Sequence, residues 1–410
     1  MADREVDYLI VGGGIAAASC AETLREEGAD GSILVVGREA DPPYHRPPLS
    51  KGYLRGDEGR ETALIHPSEW WEQQGVELLT RTSVMKLEPD ERTARLSTKE
   101  DVRFGRALLA TGANVRRLRV DGGDLDGIHY LRAFGNSDAI RADADAADRV
   151  LVVGGSYIGC EVAATLAARG DLCTMIMQED SVLERSLGSE VGSFFHGVLE
   201  EHGIEIVGGD ELEWLEGDER VRRAVSAGGR EIECECVVIG AGVMPDVMLA
   251  RSAKLELGER GGVLCSSRLE TSLEGVYAAG DMCEYDSPLH GGPVRIEHWD
   301  VARAHGRTAA LNMLGRDVAH ETVPYFWSNL ANWTSFDYVS GDAGAGDPVL
   351  RGSLEDGAFS AFWLRDDGRL ASALVVGREG EIDQARRIIA EGGAPGREAL
   401  ADAAAELVTY

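Results

Sequence analysis

The apolar positions of this chain come in short runs that stop at glycine. Asp7-Tyr-Leu-Ile-Val11 runs into Gly12-Gly13-Gly14. Residues 15–27 then place small and apolar side chains at helical spacing, and Ser32-Ile-Leu-Val-Val36 is apolar again. Continuous apolar runs of about four to eight residues between turn signals are those of strands covered on both faces. The pattern predicts a strand, a glycine turn, a helix and a second strand. The same order returns downstream: 149–153, a turn Gly154-Gly-Ser-Tyr-Ile-Gly159, a helix over 160–169 and a strand over 172–177. Two such units, too far apart for a solenoid repeat, predict two nucleotide-binding domains in an α/β fold.

Three further apolar runs feed glycine turns, at Ala107-Leu-Leu-Ala-Thr-Gly112, Val237-Val-Ile-Gly-Ala-Gly242 and residues 271–281, which end Ala279-Gly-Asp281. Arg46-Pro-Pro-Leu-Ser-Lys51 reads as a proline-stiffened loop. From Asn312 the pattern changes. Tyr325-Phe-Trp327 opens an aromatic stretch, short alternating strands are predicted over 358–364 and 370–376, and a helix over 382–390 precedes an acidic, alanine-rich tail. The expected domains are 1–112 with 243–316, an inserted 113–242, and a C-terminal α+β domain over 317–410.

The glycine turns suit dinucleotides. In Gly12-x-Gly14-x-x-Ala17 the first glycine makes the tight turn, the second lets backbone approach a pyrophosphate, and the small third residue packs helix on strand. The helix start then offers unpaired N–H groups and partial positive charge. An acid for the adenine ribose is expected after the second strand, and the chain has Arg38-Glu39 there. Either Glu39 reaches the ribose with Arg38 over the adenine, or Arg38 is an exposed base with no ligand role. The second turn, Gly154-x-Ser156-x-x-Gly159, carries serine in the middle, the smallest replacement for glycine. Its strand ends at Gln178-Glu179-Asp180, where carboxylates repel a 2′-phosphate, so NADH is favoured over NADPH.

Charge and composition narrow the partners. Among 410 residues, 71 acids against 41 bases leave a net charge of −30, which excludes nucleic acid and anionic membrane as favoured partners. Only four of the bases are lysine (51, 86, 99 and 254), a bias shared by GC-rich coding and by adaptation to high salt. No apolar run reaches the roughly 18 residues of a membrane span, and the start lacks a signal-peptide pattern. A soluble, cytoplasmic protein is expected, as monomer or homodimer. The seven cysteines are odd in number and form no Cys-x-x-Cys, the pattern of reduced, buried thiols. Cys234 and Cys236 are expected to share one face of a strand, but no second cluster accompanies them and no metal site is expected.

Taken in order, Gly12–Ala17, Arg46-Pro-Pro-Leu-Ser-Lys51, Ala110-Thr-Gly-Ala113, Gly154–Glu161, Gly240-x-Gly242 with Pro245, Ala279-Gly-Asp281, Glu297-His-Trp299 and Tyr325-Phe-Trp-Ser328 resemble a known family. It is that of the FAD-dependent pyridine nucleotide reductases of the ferredoxin, putidaredoxin and rubredoxin reductase type. Apoptosis-inducing factor and the aromatic-dioxygenase reductases are similar. The resemblance spans nearly the whole chain, and Arg-Pro-Pro-x-Ser-Lys together with Ala-Gly-Asp is its specific part. It implies two Rossmann-like domains of the glutathione-reductase-like kind plus the C-terminal domain, with FAD on the first unit and the Ala-Gly-Asp stretch, and NADH on the inserted unit.

The resemblance also implies site residues. Ala16, Lys51, Val84, Arg132, Asp281 and Trp299 match positions that touch the flavin nucleotide, Asp281 through a ribityl hydroxyl or an oxygen near the phosphate. Arg46 is expected near the pyrophosphate. Gly12, Gly14, Ala17, Arg38, Glu39, Ala110, Thr111, Gly112, Glu297, His298 and Trp327 complete the expected FAD set. Gly154, Gly155, Ser156, Tyr157, Ile158, Gly159, Glu179, Gly240 and Gly242 form that for NADH. Two departures stand out: Arg38 replaces the relatives' ribose-binding acid, and Asn329-Leu-Ala-Asn332 replaces their Asp-Gln-Tyr/Phe-Asp after Ser328.

The implied activity is hydride transfer from NADH to flavin, then single electrons to a ferredoxin-like carrier. Lys51 is expected to pair with Glu161, and Tyr157 to shield the flavin face, or else merely to pack. A disulfide reductase of related fold needs a redox cysteine where this chain has 43–51, without cysteine. An NADH oxidase or quinone reductase, and a redox-responsive interaction protein, are the alternatives. Arg116-Arg117-x-Arg119 and Arg386-Arg387 are candidate basic patches for an acidic ferredoxin.

Overall fold

A computed structural model describes residues 2–340 and 346–407 of the chain. The molecule divides into two compact units, one of residues 1–45, 63–114 and 244–326, the other of 46–62, 115–243 and 327–410. The second unit thus gathers the Arg-Pro-Pro segment, which the sequence reading placed with the FAD domain. It also holds most of the C-terminal segment, which that reading set apart as a third domain.

In the first unit the strands Arg4–Val11, Ile33–Val36, Val76–Leu79 and Asp101–Leu109 are parallel, with Val276–Ala278 added beside Asp101–Leu109. Val84–Glu88 and Thr93–Leu96 extend that sheet as an antiparallel edge. Leu9, Ile10, Leu34 and Leu108 are fully buried because helices cover the parallel part, and each contributes about 1.5–3 kcal/mol by leaving water. The helix Ile15–Glu26 follows the first strand. Its face Ala17, Cys20, Ala21 and Leu24 is fully buried, and these small side chains let the helix Trp299–Met313 lie directly on it.

In the second unit Glu205–Val207, Leu172–Ile176, Arg149–Val153, Cys236–Ile239 and Ile128–His129 form a parallel sheet in that order. The helix Tyr157–Arg169 begins three residues earlier than its apolar periodicity suggests, because Ser156 is its N-cap and Tyr157 and Ile158 already lie in its first turn. Cys234 and Cys236 do not share a strand. One strand ends at Glu233 and the next begins at Cys236, with both thiols buried. No cluster of metal-ligating side chains occurs among the described residues.

The C-terminal segment forms a five-stranded sheet in the order 325–330, 334–340, 370–376, 358–364, 349–353. The expected alternation of buried and exposed positions is absent from its centre: Leu370–Val376 is buried throughout. The helix Glu381–Ala390 packs against it, and Phe359 of the neighbouring strand meets Phe194 at 5.0 Å. Even the polar Ser360 is buried, and its hydroxyl donates to Glu381 at 2.5 Å. No described helix is long and apolar enough to cross a membrane.

Candidate functional site

The first glycine turn has the shape a pyrophosphate needs. Gly12 sits at φ +144°, and a Cβ there would stand 2.1 Å from the Ala110 carbonyl oxygen, so only glycine fits. Gly14 is the helix N-cap, with open space where its side chain would be, no side-chain cap and no acid in the first turn. The free N–H groups and dipole therefore face an unobstructed approach. Beside the turn, the Ala279 N–H donates to the Leu109 carbonyl at 2.9 Å, and the Thr111 hydroxyl donates to the Asp246 carbonyl at 2.6 Å. Strand pairing thus brings Ala110-Thr-Gly112 and Ala279-Gly-Asp281, about 170 residues apart, to the same sheet end as Gly12. This arrangement fits the pyrophosphate of FAD.

At the expected adenine end, Arg38 is engaged by two protein partners. Its guanidinium donates to Asp246 at 2.9 Å and to Asn114 at 2.7 Å, while the Glu39 carboxylate accepts the Tyr44 hydroxyl at 2.6 Å. Arg38 is a strut between the second strand's end and residues 114 and 246, and Glu39 is the acid left at that end. Asp246 was not singled out from sequence, since its partner lies 208 residues away. Val84 starts an edge strand and is half-buried. Glu297 pairs with Arg295, which also donates to the Asp281 carbonyl at 3.1 Å. His298 lies 4.6 Å from the Phe326 ring, and burial pushes its imidazole down to about 4. Trp299 lies 5.4 Å from the His45 ring, with the Arg303 guanidinium 5.8 Å above its own.

In the second unit, Gly154 at φ +107° crosses Gly240, whose carbonyl would stand 2.6 Å from any added Cβ. Ser156 has an ordinary extended backbone, and its exposed side chain donates its hydroxyl to the Gly240 carbonyl at 3.4 Å. Gly155, Gly159 and Gly242 complete the two facing turns, and Ile158 is 46% exposed at the helix start. Glu179 stands after the strand Leu172–Ile176 and is paired with Arg185.

Lys51 and Glu161 meet as anticipated. Lys51 Nζ lies 2.6 Å from Glu161 Oε2, with the carboxylate side chain only 4% exposed. Two residues that sequence reasoning missed complete it: Ser50 donates its hydroxyl to Oε2 at 2.5 Å and Ser328 donates to Oε1 at 2.7 Å. Thr165, one turn further along the helix, donates to the Ser50 carbonyl at 2.7 Å. Both serines lay inside quoted motifs, which was the available signal. The expected loop 46–51 is a 3₁₀ turn over Pro47–Ser50 that aims Lys51 at the helix. Arg46 donates to the Arg132 carbonyl at 2.6 Å, so these two expected flavin contacts are held together. Tyr157 lies 6.0 Å from the Phe336 ring, and burial pushes its phenol well above the ordinary value. Trp327 is half-buried on the strand Tyr325–Leu330.

All seven cysteines are unpaired and buried. Burial pushes Cys173, Cys234 and Cys236 up to about 12, and Cys20, Cys160 and Cys283 well above the ordinary thiol range.

Residues 6–306 match the pyridine nucleotide-disulphide oxidoreductase family and residues 325–410 match the reductase C-terminal domain. The chain belongs to that oxidoreductase family, in the branch whose second part is the reductase C-terminal domain. Among its relatives is the ferredoxin–NAD(+) reductase component of the anthranilate 1,2-dioxygenase system of Burkholderia cepacia, 35% identical over 98% of both chains. The reductase subunit of the benzene 1,2-dioxygenase system of Pseudomonas putida is 31% identical, over 93% of this chain and 91% of that one. Among solved structures, a ferredoxin reductase from Rhodopseudomonas palustris superposes with a TM-score of 0.94 at 29% identity, covering 98% of both chains. Putidaredoxin reductase in covalent complex with putidaredoxin gives 0.92 at 30% identity, covering 99% of this chain and 98% of that one.

Proposed function

We propose that the chain is an NADH-dependent flavoprotein reductase that draws on NADH and passes electrons singly to a ferredoxin-like carrier of an oxygenase system. FAD, when bound, supplies the conversion of a hydride into two separate electrons. The protein's part is to bind, orient and set charge. The Gly12 turn with Asp281 holds the flavin nucleotide, and the Gly154 turn with Glu179 holds NADH and disfavours a 2′-phosphate. Lys51 keeps a fixed positive charge for the reduced flavin, and Glu161, with Ser50 and Ser328 as donors, keeps that ammonium from being buried alone. The working compartment is reducing, in keeping with seven free thiols, and the cytoplasm is the natural one.

One observation carries the reading: the fold is that of a family named for disulphide reduction, yet every thiol here is buried, unpaired and held protonated where its shift is resolved. With every described thiol buried, a bound flavin would have an external acceptor rather than a thiol relay for the electrons it supplies. The test is NADH-driven cytochrome c reduction by the holoenzyme with and without an added plant-type or bacterial [2Fe–2S] ferredoxin. Strong dependence on the ferredoxin is expected. Peroxide formation at an undiminished NADH rate without carrier would make it an oxidase instead.

A further inference from the structure

Two imidazoles lie deep in the first unit, and the chemistry described so far uses neither. His305 is fully buried in the helix Trp299–Met313, and His320 is 1% exposed in the segment after it. Their ring centroids are 4.4 Å apart, edge to face, and both face the Tyr285 ring at 4.7 and 5.1 Å. The N–H of Gly280 donates to His305 Nδ1 at 3.2 Å. Nδ1 therefore carries no proton, and the neutral ring holds its proton on Nε2. That Nε2, like the Nε2 of His320, has no hydrogen-bond partner among the described residues. A buried polar atom without a hydrogen-bond partner costs free energy, so the two rings are held there at a cost.

What His305 does follows from what it holds. Gly280 is left-handed at φ +76°, at the centre of Ala279-Gly-Asp281. The next residue of the same helix, Gly306, lies so close to the first glycine-turn helix that a Cβ would stand 2.2 Å from the Ala16 carbonyl and 3.0 Å from the Cys20 nitrogen. One helix thus fixes the spacing of both segments assigned to the flavin nucleotide, one through backbone contact and the other through an imidazole. We propose that His305 is a positioning residue of the flavin site, whose Nδ1 fixes the Gly280 amide and with it the direction in which Asp281 is presented. The inference rests on the assignment of Ala279-Gly-Asp281 to flavin binding made under Proposed function.

The test compares the holoenzyme with H305Q, whose amide oxygen can accept the same N–H, and H305L, which cannot. The readouts are the FAD dissociation constant and the visible circular-dichroism bands of bound flavin. H305L is expected to bind FAD about tenfold more weakly, the effect of one buried donor left unmade, and to alter the visible bands, while H305Q stays within about threefold of wild type. A folded H305L that holds FAD as tightly as wild type, with unchanged bands, overturns the proposal. A wild-type protein that binds no FAD overturns the flavin assignment instead. Should H305L not fold, nitrogen–nitrogen coupling between Gly280 and His305 in labelled wild-type protein decides: a coupling to Nδ1 supports the role, and its absence refutes it.

Discussion

The Lys51–Glu161 contact invites a perturbation whose size can be worked from the structure. Glu161 has three donors, Lys51 at 2.6 Å, Ser50 at 2.5 Å and Ser328 at 2.7 Å, and is 4% exposed. Breaking a buried ion pair from one side costs about 3–5 kcal/mol, because the remaining charge loses its partner without regaining water. Lys51 is 17% exposed, so some water reaches it and the lower end applies to E161Q. In K51M the carboxylate keeps its two serine donors, which again caps the loss near 3 kcal/mol. K51M/E161Q leaves no charge to orphan and should cost clearly less than the two single changes together, by about 2 kcal/mol. Urea midpoints of the four proteins give this cycle.

Stability is the smaller half of the matter. A fixed ammonium that stabilises charge on reduced flavin contributes to the rate of flavin reduction, whereas a mere strut does not. Stopped-flow reduction by NADH should slow about 10- to 100-fold in K51M, equal to roughly 1.4–2.7 kcal/mol of barrier. K51M that remains folded, keeps its FAD and is reduced at the wild-type rate would falsify the electrostatic role and leave the pair as scaffolding.

Three shorter predictions follow from other parts of the molecule. Glu179→Gln keeps an acceptor for a ribose hydroxyl, removes a carboxylate and releases Arg185, so kcat/KM for NADPH should rise about tenfold relative to NADH; an unchanged ratio refutes the specificity role. Burial lowers His320 and His298 from 6.5 to about 4 and holds His305 well below its ordinary value as well. The unfolded chain therefore binds more protons below pH 6.5, and the stability these groups contribute, intact above that pH, falls away toward pH 4, by about 3 kcal/mol for His320 alone. A urea midpoint flat between pH 7 and 4.5 contradicts this. Thiols held near 12 carry almost no thiolate at pH 8, so iodoacetamide should label none of Cys173, Cys234 and Cys236 in the native protein and all three in urea, read by mass spectrometry.

Local regularities carried most of the fold. Apolar runs ending in glycine marked both sheets, since a turn needing φ above zero or a close backbone crossing leaves glycine little competition, as at Gly12 against Ala110. What stayed hidden was set by partners distant in sequence. Arg38 reads equally as adenine ligand or idle base, and its pairing with Asp246 leaves no trace in the local sequence. His305 shows no local signal, because its role lies in one lone pair and a backbone N–H 25 residues away. Cys234 and Cys236 were misplaced because period two persists across the break between strands. The central C-terminal strands read as alternating because Ser360 looks like a surface residue, and only the buried carboxylate of Glu381 explains it.

The departure after Ser328 bears on which carrier is accepted. Along Tyr325–Leu330, Ser328 and Leu330 are buried while Trp327 and Asn329 are only partly covered, so the strand's alternation puts the Glu161 donor on one face and Trp327 with Asn329 on the other. The family resemblance implies an aspartate where this chain has Asn329. The inward position, which supports Lys51 through Glu161, is serine, while the outward one is an uncharged asparagine. In a molecule of net charge −30, one acid fewer beside Trp327 eases the approach of an acidic ferredoxin. Asn329→Asp should therefore raise the KM for such a ferredoxin about two- to fivefold at low ionic strength, the scale of one exposed charge, with the effect fading in 0.5 M KCl. Flavin reduction by NADH, which involves no carrier, should be unchanged. A slowed NADH half-reaction, or a KM that does not respond to the new charge, would place Asn329 outside the docking face and leave its exchange without a role in partner choice.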